Sequence, residues 1–175
     1  TGTSYITKGE MGLMIDPLTL IIGTLAGLAV NHSHQTLKVA DAAFPLMPLK
    51  HNVSVIIPAY NEEFYIEQSL SSIINQNIYI ANPELFEIIT VVDERTTDQT
   101  AEIARRYGSV IFSGAGKLTA KNLGAQCAHG DILIFVDADI DAKPNLFNLI
   151  LRDFEDPEVI AVGGVGFWGT PIQQI

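Results

Sequence analysis

The apolar positions of this chain fall into two alternating rhythms. Residues 52–58, "NVSVIIP", make a short apolar run closed by a proline, which predicts a strand. Over 62–76, Ile66, Leu70, Ile73 and Ile74 recur on one helical face, so a helix follows. The alternation then repeats. Strands are predicted over 86–93, 109–112, 132–136 and 159–162, and helices over 97–107, 118–128 and 145–154. Asp98 and Glu102 near the start of the second helix, with Arg105 and Arg106 at its end, suit the helix dipole. Gly130 follows the third helix as a stop signal. This order predicts an α/β fold, a mostly parallel sheet with helices on both faces. Ligands in such sheets gather at the carboxyl ends of the strands. Those ends carry Tyr60 with Asn61, Asp93 with Glu94, and Asp137 with Asp139.

The first fifty residues follow neither rhythm. Residues 17–30, "PLTLIIGTLAGLAV", carry no charge; extended back to residue 11 they reach membrane-spanning length and include Asp16. Lys38, Lys50 and three nearby histidines give a slight basic excess on the C-terminal side. The positive-inside rule then places the following domain in the cytoplasm, behind a single-pass anchor. The expected organisation is a tail over 1–10, an apolar anchor helix over 11–30, a linker over 31–50 and an α/β domain over 51–175.

Composition narrows the partners. The chain has 175 residues, room for one domain with a core, and it is 47% hydrophobic, which fits an apolar segment beside that domain. A formal net charge of −10 argues against a nucleic-acid partner. The single cysteine, Cys127, excludes an internal disulfide framework, and in its Ala-rich helix it is expected to be buried packing.

The chemistry concentrates in "DILIFVDADID", where an apolar run delivers Asp137, Asp139 and Asp141 at alternate positions. Carboxylates this close repel one another unless a cation or proton sits among them. A calcium loop starting at Asp137 needs glycine at its sixth position and glutamate at its twelfth; Ala142 and Asn148 stand there. The haloacid-dehalogenase-like phosphatases also open a D-x-D after a strand. Their motif normally sits on the first strand and runs on to Gly and Thr or Val, whereas here it follows three strands and continues Ile140-Asp141. A third reading is a divalent ion, Mg²⁺ or Mn²⁺, bridging these carboxylates to a nucleotide diphosphate and stabilising it as a leaving group. The upstream strand ends supply a nucleotide pocket: Tyr60 can stack on a base, Asp93 can accept a base N–H, and Lys117 can reach phosphate. "SGAGKLTAK" is not a Walker A loop, because Leu118 and Ile111 occupy positions that need Ser or Thr and Gly.

In order along the chain, "VSVIIPAYNEE", "VVDERTTDQTAEIA", "GKLTAKNLGAQCAHGDILIFVDAD" and "VGGVGF" resemble the motifs of the family 2 glycosyltransferases. The resemblance implies the GT-A fold, with a nucleotide-diphosphate sugar, UDP-sugars favoured, as donor. It implies that Pro58, Ala59 and Tyr60 line the base, with Glu62 close by, and that Asp93 binds it. Lys117 would lie in the segment that reaches the nucleotide. Asp137 would touch ribose and metal, and Asp139 would ligate the metal. Glu94 and Arg95 depart from the usual acidic–Gly pair, and Arg95 is expected to face solvent. The general base of such enzymes is expected beyond Ile175, so the chain reads as the donor-binding half. A fragment that binds nucleotide sugar without catalysis is the alternative.

Overall fold

The computed structural model describes residues 3–7 and 45–164, with side chains from 45 to 163. Its main feature is a parallel four-stranded sheet in the order β4-β3-β2-β5, built from β2 (Val53–Ala59), β3 (Phe86–Asp93), β4 (Ser109–Ser113) and β5 (Ile132–Phe135). The chain steps outward from β2 to β3 to β4, then returns to the other side of β2 as β5. That reversal makes a topological switch point between β2 and β5. Loops diverge there, and a crevice opens at the carboxyl ends of the strands.

β1 (Thr3–Thr7), which lies in the expected tail, and β6 (Val159–Gly164) form a separate antiparallel pair. The final predicted strand therefore exists, but it lies outside the parallel sheet. The expected anchor, 11–30, lies outside the described residues, among which no helix is long and apolar enough to cross a membrane. Only the end of the expected linker, 45–50, is described, and it is docked. Met47 N–H donates to Asn148 Oδ1 at 3.2 Å, and Met47 and Leu49 pack on the core.

Strand alternation divides the core in two. Val53, Val55, Ile57, Ile132 and Ile134 face one side. They meet Ile66, Leu70 and Ile73 of α1 (Ile66–Ile74), Ile78 of α2 (Asn77–Ala81), Ala104 of α3 (Thr100–Ala104), and Phe147 and Leu151 of α5 (Leu146–Asp153). Ile56, Ile89, Val91 and Leu133 face the other side and meet α4 (Lys117–Cys127) through Ala120. Gly124 of α4 lies so close that an added Cβ would stand 2.4 Å from Ile56 Cγ2. Cys127 is exposed rather than buried, because it ends α4 beyond the turn at which Ala120 and Gly124 touch the sheet.

Every predicted helix and strand of the domain is present, with ends shifted by a few residues. The largest difference is α1, which begins at Ile66 rather than 62. Residues 60–65 are taken up by the loop that leaves β2. Helix α2 was not foreseen, since a five-residue helix shows too little periodicity to separate from a turn.

Candidate active site

The site is assembled from the loops that leave β2, β3 and β5 and from the first turn of α4. After β2 the chain turns through Tyr60 and Asn61. Asn61 takes φ = 53°, a left-handed conformation that asparagine tolerates, and its Oδ1 accepts the Thr97 N–H at 2.9 Å. Asp98 Oδ2 accepts the Glu63 N–H at 3.0 Å, and Thr100 Oγ1 accepts the Glu62 N–H at 2.8 Å. These bonds tie the loop after β2 to the loop after β3. Burial would raise the Asp98 pKa, but hydrogen bonds from the Thr100 hydroxyl and from the Glu63 and Thr100 N–H groups outweigh it and hold that pKa low.

Asp93 closes β3, with its side chain 7% exposed. Its Oδ1 accepts from Arg95 N at 3.0 Å and Arg95 Nε at 2.9 Å. Its Oδ2 accepts from Arg95 Nη2 at 2.8 Å and from Gly116 N at 3.1 Å. The bonds from Arg95, side chain first, hold the Asp93 carboxyl well below the usual carboxylate range, and Asp93 raises Arg95 in return. Arg95 is exposed, as expected, and in addition grips Asp93 in a two-pronged fork, with its guanidinium carbon 5.2 Å from the Tyr60 ring centroid. The physical reason is that a carboxylate this enclosed stays ionised only with a cation or several donors beside it. Gly116 takes φ = 109°, which suits glycine, and so aims its N–H at Asp93 as α4 begins.

On the other side of the crevice, β5 ends at Phe135 and the chain turns through Asp137, Ala138 and Asp139. Lys117 Nζ lies 2.7 Å from Asp137 Oδ2, and Lys121 Nζ lies 3.6 Å from Oδ1. Lys121 is mostly buried, with Nζ 5.9 Å from the Phe135 ring centroid. Sequence reading named Lys117 and missed Lys121. Their spacing of four residues, which puts both on one face of α4, was the available signal. Asp139 is exposed on the turn, as is Asp141 just beyond it. The Glu62 pKa is raised by partial burial first and then by the charge of Asp139, with Lys117 opposing.

Pro58, Ala59, Tyr60, Glu62, Asp93, Lys117, Asp137 and Asp139 all line one open cleft of about 150 Å³, together with Gly116, Ala120 and Ala138. Each sequence-predicted site residue is in this group. Among the described residues no three His, Cys, Asp or Glu side chains form a group that could hold a metal by themselves. Asp137 and Asp139 are two carboxylates, the number by which Mg²⁺ and Mn²⁺ usually bind beside nucleotides with phosphate and water in the remaining positions, and here Asp137 is paired with Lys117 and Lys121.

The family model described as glycosyl transferase family 2 matches residues 54–172. The chain belongs to glycosyl transferase family 2. Among its relatives is the 4,4'-diaponeurosporenoate glycosyltransferase of Staphylococcus haemolyticus, 38% identical over 99 residues, a match covering 51% of this chain and 24% of that protein. A probable glycosyltransferase of Bacillus subtilis is 35% identical over 123 residues, covering 64% of this chain and 29% of that protein. This family 2 chain thus spans about a quarter to a third of the length of those relatives. Among solved structures, a mannosyltransferase from Pyrobaculum calidifontis in complex with GDP-Man and Mn²⁺ superposes with a TM-score of 0.54 at 25% identity. That superposition covers 66% of this chain and 37% of the mannosyltransferase.

Proposed function

We propose that this protein carries the donor site of an enzyme that moves a sugar from a nucleotide-diphosphate sugar to an acceptor hydroxyl. Mg²⁺ or Mn²⁺ would be held by Asp137 and Asp139. The observation that carries this reading is the convergence of Tyr60, Asp93, Lys117, Asp137 and Asp139 on one cleft at the switch point of the sheet. The manganese and GDP-mannose in the related mannosyltransferase support it. When bound, a divalent ion supplies charge neutralisation for the departing diphosphate. The chain's own residues do the rest of the donor binding. Pro58, Ala59 and Tyr60 form the base-side wall. Helix α4, with Lys117 in its first turn and the mostly buried Lys121 in its second, presents positive charge to phosphate oxygens. In the transfer, the acceptor oxygen bonds to the anomeric carbon as that carbon's bond to the diphosphate oxygen breaks, which inverts its configuration. The acceptor proton passes to a general base, a role the resemblance assigns to no residue of this cleft.

The test is equilibrium binding of nucleoside diphosphates to the full chain in Mn²⁺ and in EDTA. Wild type should bind only with metal. Asp139→Ala and Asp137→Ala should abolish the metal-dependent part, while Asp141→Ala should leave most of it. Equal affinity in Mn²⁺ and EDTA for the wild type would reject the metal site.

A further inference from the structure

Two lysines approach Asp137, and they differ in kind. Lys117 Nζ stands 2.7 Å from Oδ2, and Lys121 Nζ stands 3.6 Å from Oδ1. Lys117 is 58% exposed, starts α4 and lines the cleft. Lys121 is 14% exposed, sits one turn further on against Phe135, and is not among the lining residues. The first is a tethered cation on the cleft side that can swing on its four-carbon stem; the second is held by packing. Asp139 is exposed, and its carboxylate makes no ion pair or hydrogen bond among the described residues.

The Lys117 ammonium therefore already neutralises the carboxylate that a divalent ion would use. Its charge also reaches Glu62, where it opposes the raising effects of burial and of Asp139, so one cation acts on carboxylates from two different loops. An oxygen paired at 2.7 Å becomes a metal ligand only when the ammonium withdraws, because two cations on one carboxylate repel each other. Diphosphate oxygens in the same cleft would offer Lys117 another charged acceptor.

We propose that Lys117 is a resident counter-ion of Asp137 that a divalent metal displaces and the diphosphate receives. Either ligand arriving alone must open the Lys117–Asp137 pair; the second finds it already open. Metal without nucleotide leaves the ammonium with no new partner, so metal alone binds weakly. Lys121 stays beside Asp137 throughout and keeps its carboxylate in place while Lys117 moves. This inference rests on the donor-site reading above and deepens it, by making Lys117 the link between the metal and the nucleotide.

The experiment uses the full chain as wild type, Lys117→Met and Lys117→Arg. Mn²⁺ affinity without nucleotide is read from the paramagnetic resonance of the free ion, and UDP and GDP affinity in saturating Mn²⁺ from calorimetry. Lys117→Met keeps an apolar stem and loses the charge. It should bind Mn²⁺ alone about 5-fold more tightly than the wild type, the equilibrium weight of one partly exposed ion pair, and bind nucleotide in Mn²⁺ more weakly. Lys117→Arg keeps a cation and should stay near the wild type in both. A crystal structure of the wild type with Mn²⁺ and the nucleotide it binds should show Lys117 Nζ withdrawn from Asp137 and on a phosphate oxygen. Unchanged or weaker Mn²⁺ binding in Lys117→Met, an arginine variant that behaves like the methionine one, or Lys117 still paired with Asp137 in that complex overturns the exchange and leaves the donor site standing. A wild type that binds neither nucleotide in Mn²⁺ overturns the donor-site reading itself.

Discussion

Gln76→Leu tests what holds the acidic turn in place. Gln76 is fully buried at the junction of α1 and α2. Its Nε2 donates to the Lys143 carbonyl at 2.8 Å and lies 3.3 Å from the Ala142 carbonyl. Its Oε1 accepts the Phe147 N–H at 3.0 Å. Phe147 is in the first turn of α5, where backbone N–H groups lack helical partners, and Asn145 makes no side-chain cap bond there. One side chain therefore caps α5 and pins the segment that follows Asp139 and Asp141. Ser72 Oγ, accepting the Ala142 N–H at 3.0 Å, assists from the previous turn of α1. Leucine has nearly the same volume but no polar atoms, so the Phe147 N–H and the buried Ala142 carbonyl would lose their partner, while the Lys143 carbonyl keeps the Leu146 N–H at 2.9 Å. At about 1–3 kcal/mol for each, less about 1 kcal/mol for placing a more apolar side chain there, the expected loss is roughly 3 kcal/mol. Urea unfolding of the full chain, followed by circular dichroism, measures this as a lower midpoint at unchanged slope. Mn²⁺-dependent nucleotide affinity should fall in the same variant, because the turn that carries Asp137 and Asp139 leads directly into the segment that is released. A stability loss below about 1 kcal/mol would refute the account.

Two more outcomes follow from the geometry. Gly124→Ala should lower the urea midpoint by about 1–2 kcal/mol net, since the overpacking against Ile56 and Val91 exceeds the helix-propensity gain of alanine; a stabilised variant would show that α4 shifts freely. Asp98 has a depressed folded pKa, so the stability it contributes is present above its ordinary value of 3.8 and is lost as pH falls through the folded value. Asp98→Asn should therefore flatten the acid limb of the stability–pH curve below pH 3.8 and lower stability at neutral pH; an unchanged acid limb would remove Asp98 from the loop-bracing role.

The sequence alone determined the α/β alternation, because period-two and helical apolar patterns are local consequences of burying one face of each element. It also placed Tyr60, Asp93, Lys117, Asp137 and Asp139 near one another. In a parallel sheet the carboxyl ends of all strands share one edge, so residues following three strands must lie close. What it could not supply was anything set by two elements meeting. Arg95 reads as a surface cation until the enclosure of Asp93 and the position of Tyr60 are known. Lys121 reads as a helix-surface lysine until α4 packs across β2 and β3 and brings it to Asp137. Gln76 reads as a polar residue ending a helix until α5 approaches it with an uncapped first turn. The pairing of Val159–Gly164 with Thr3–Thr7 joins opposite ends of the sequence. A short strand carries the same apolar pattern whether it joins the main sheet or not. Local pattern fixes which residues are buried; only the packed structure decides which polar groups must satisfy one another.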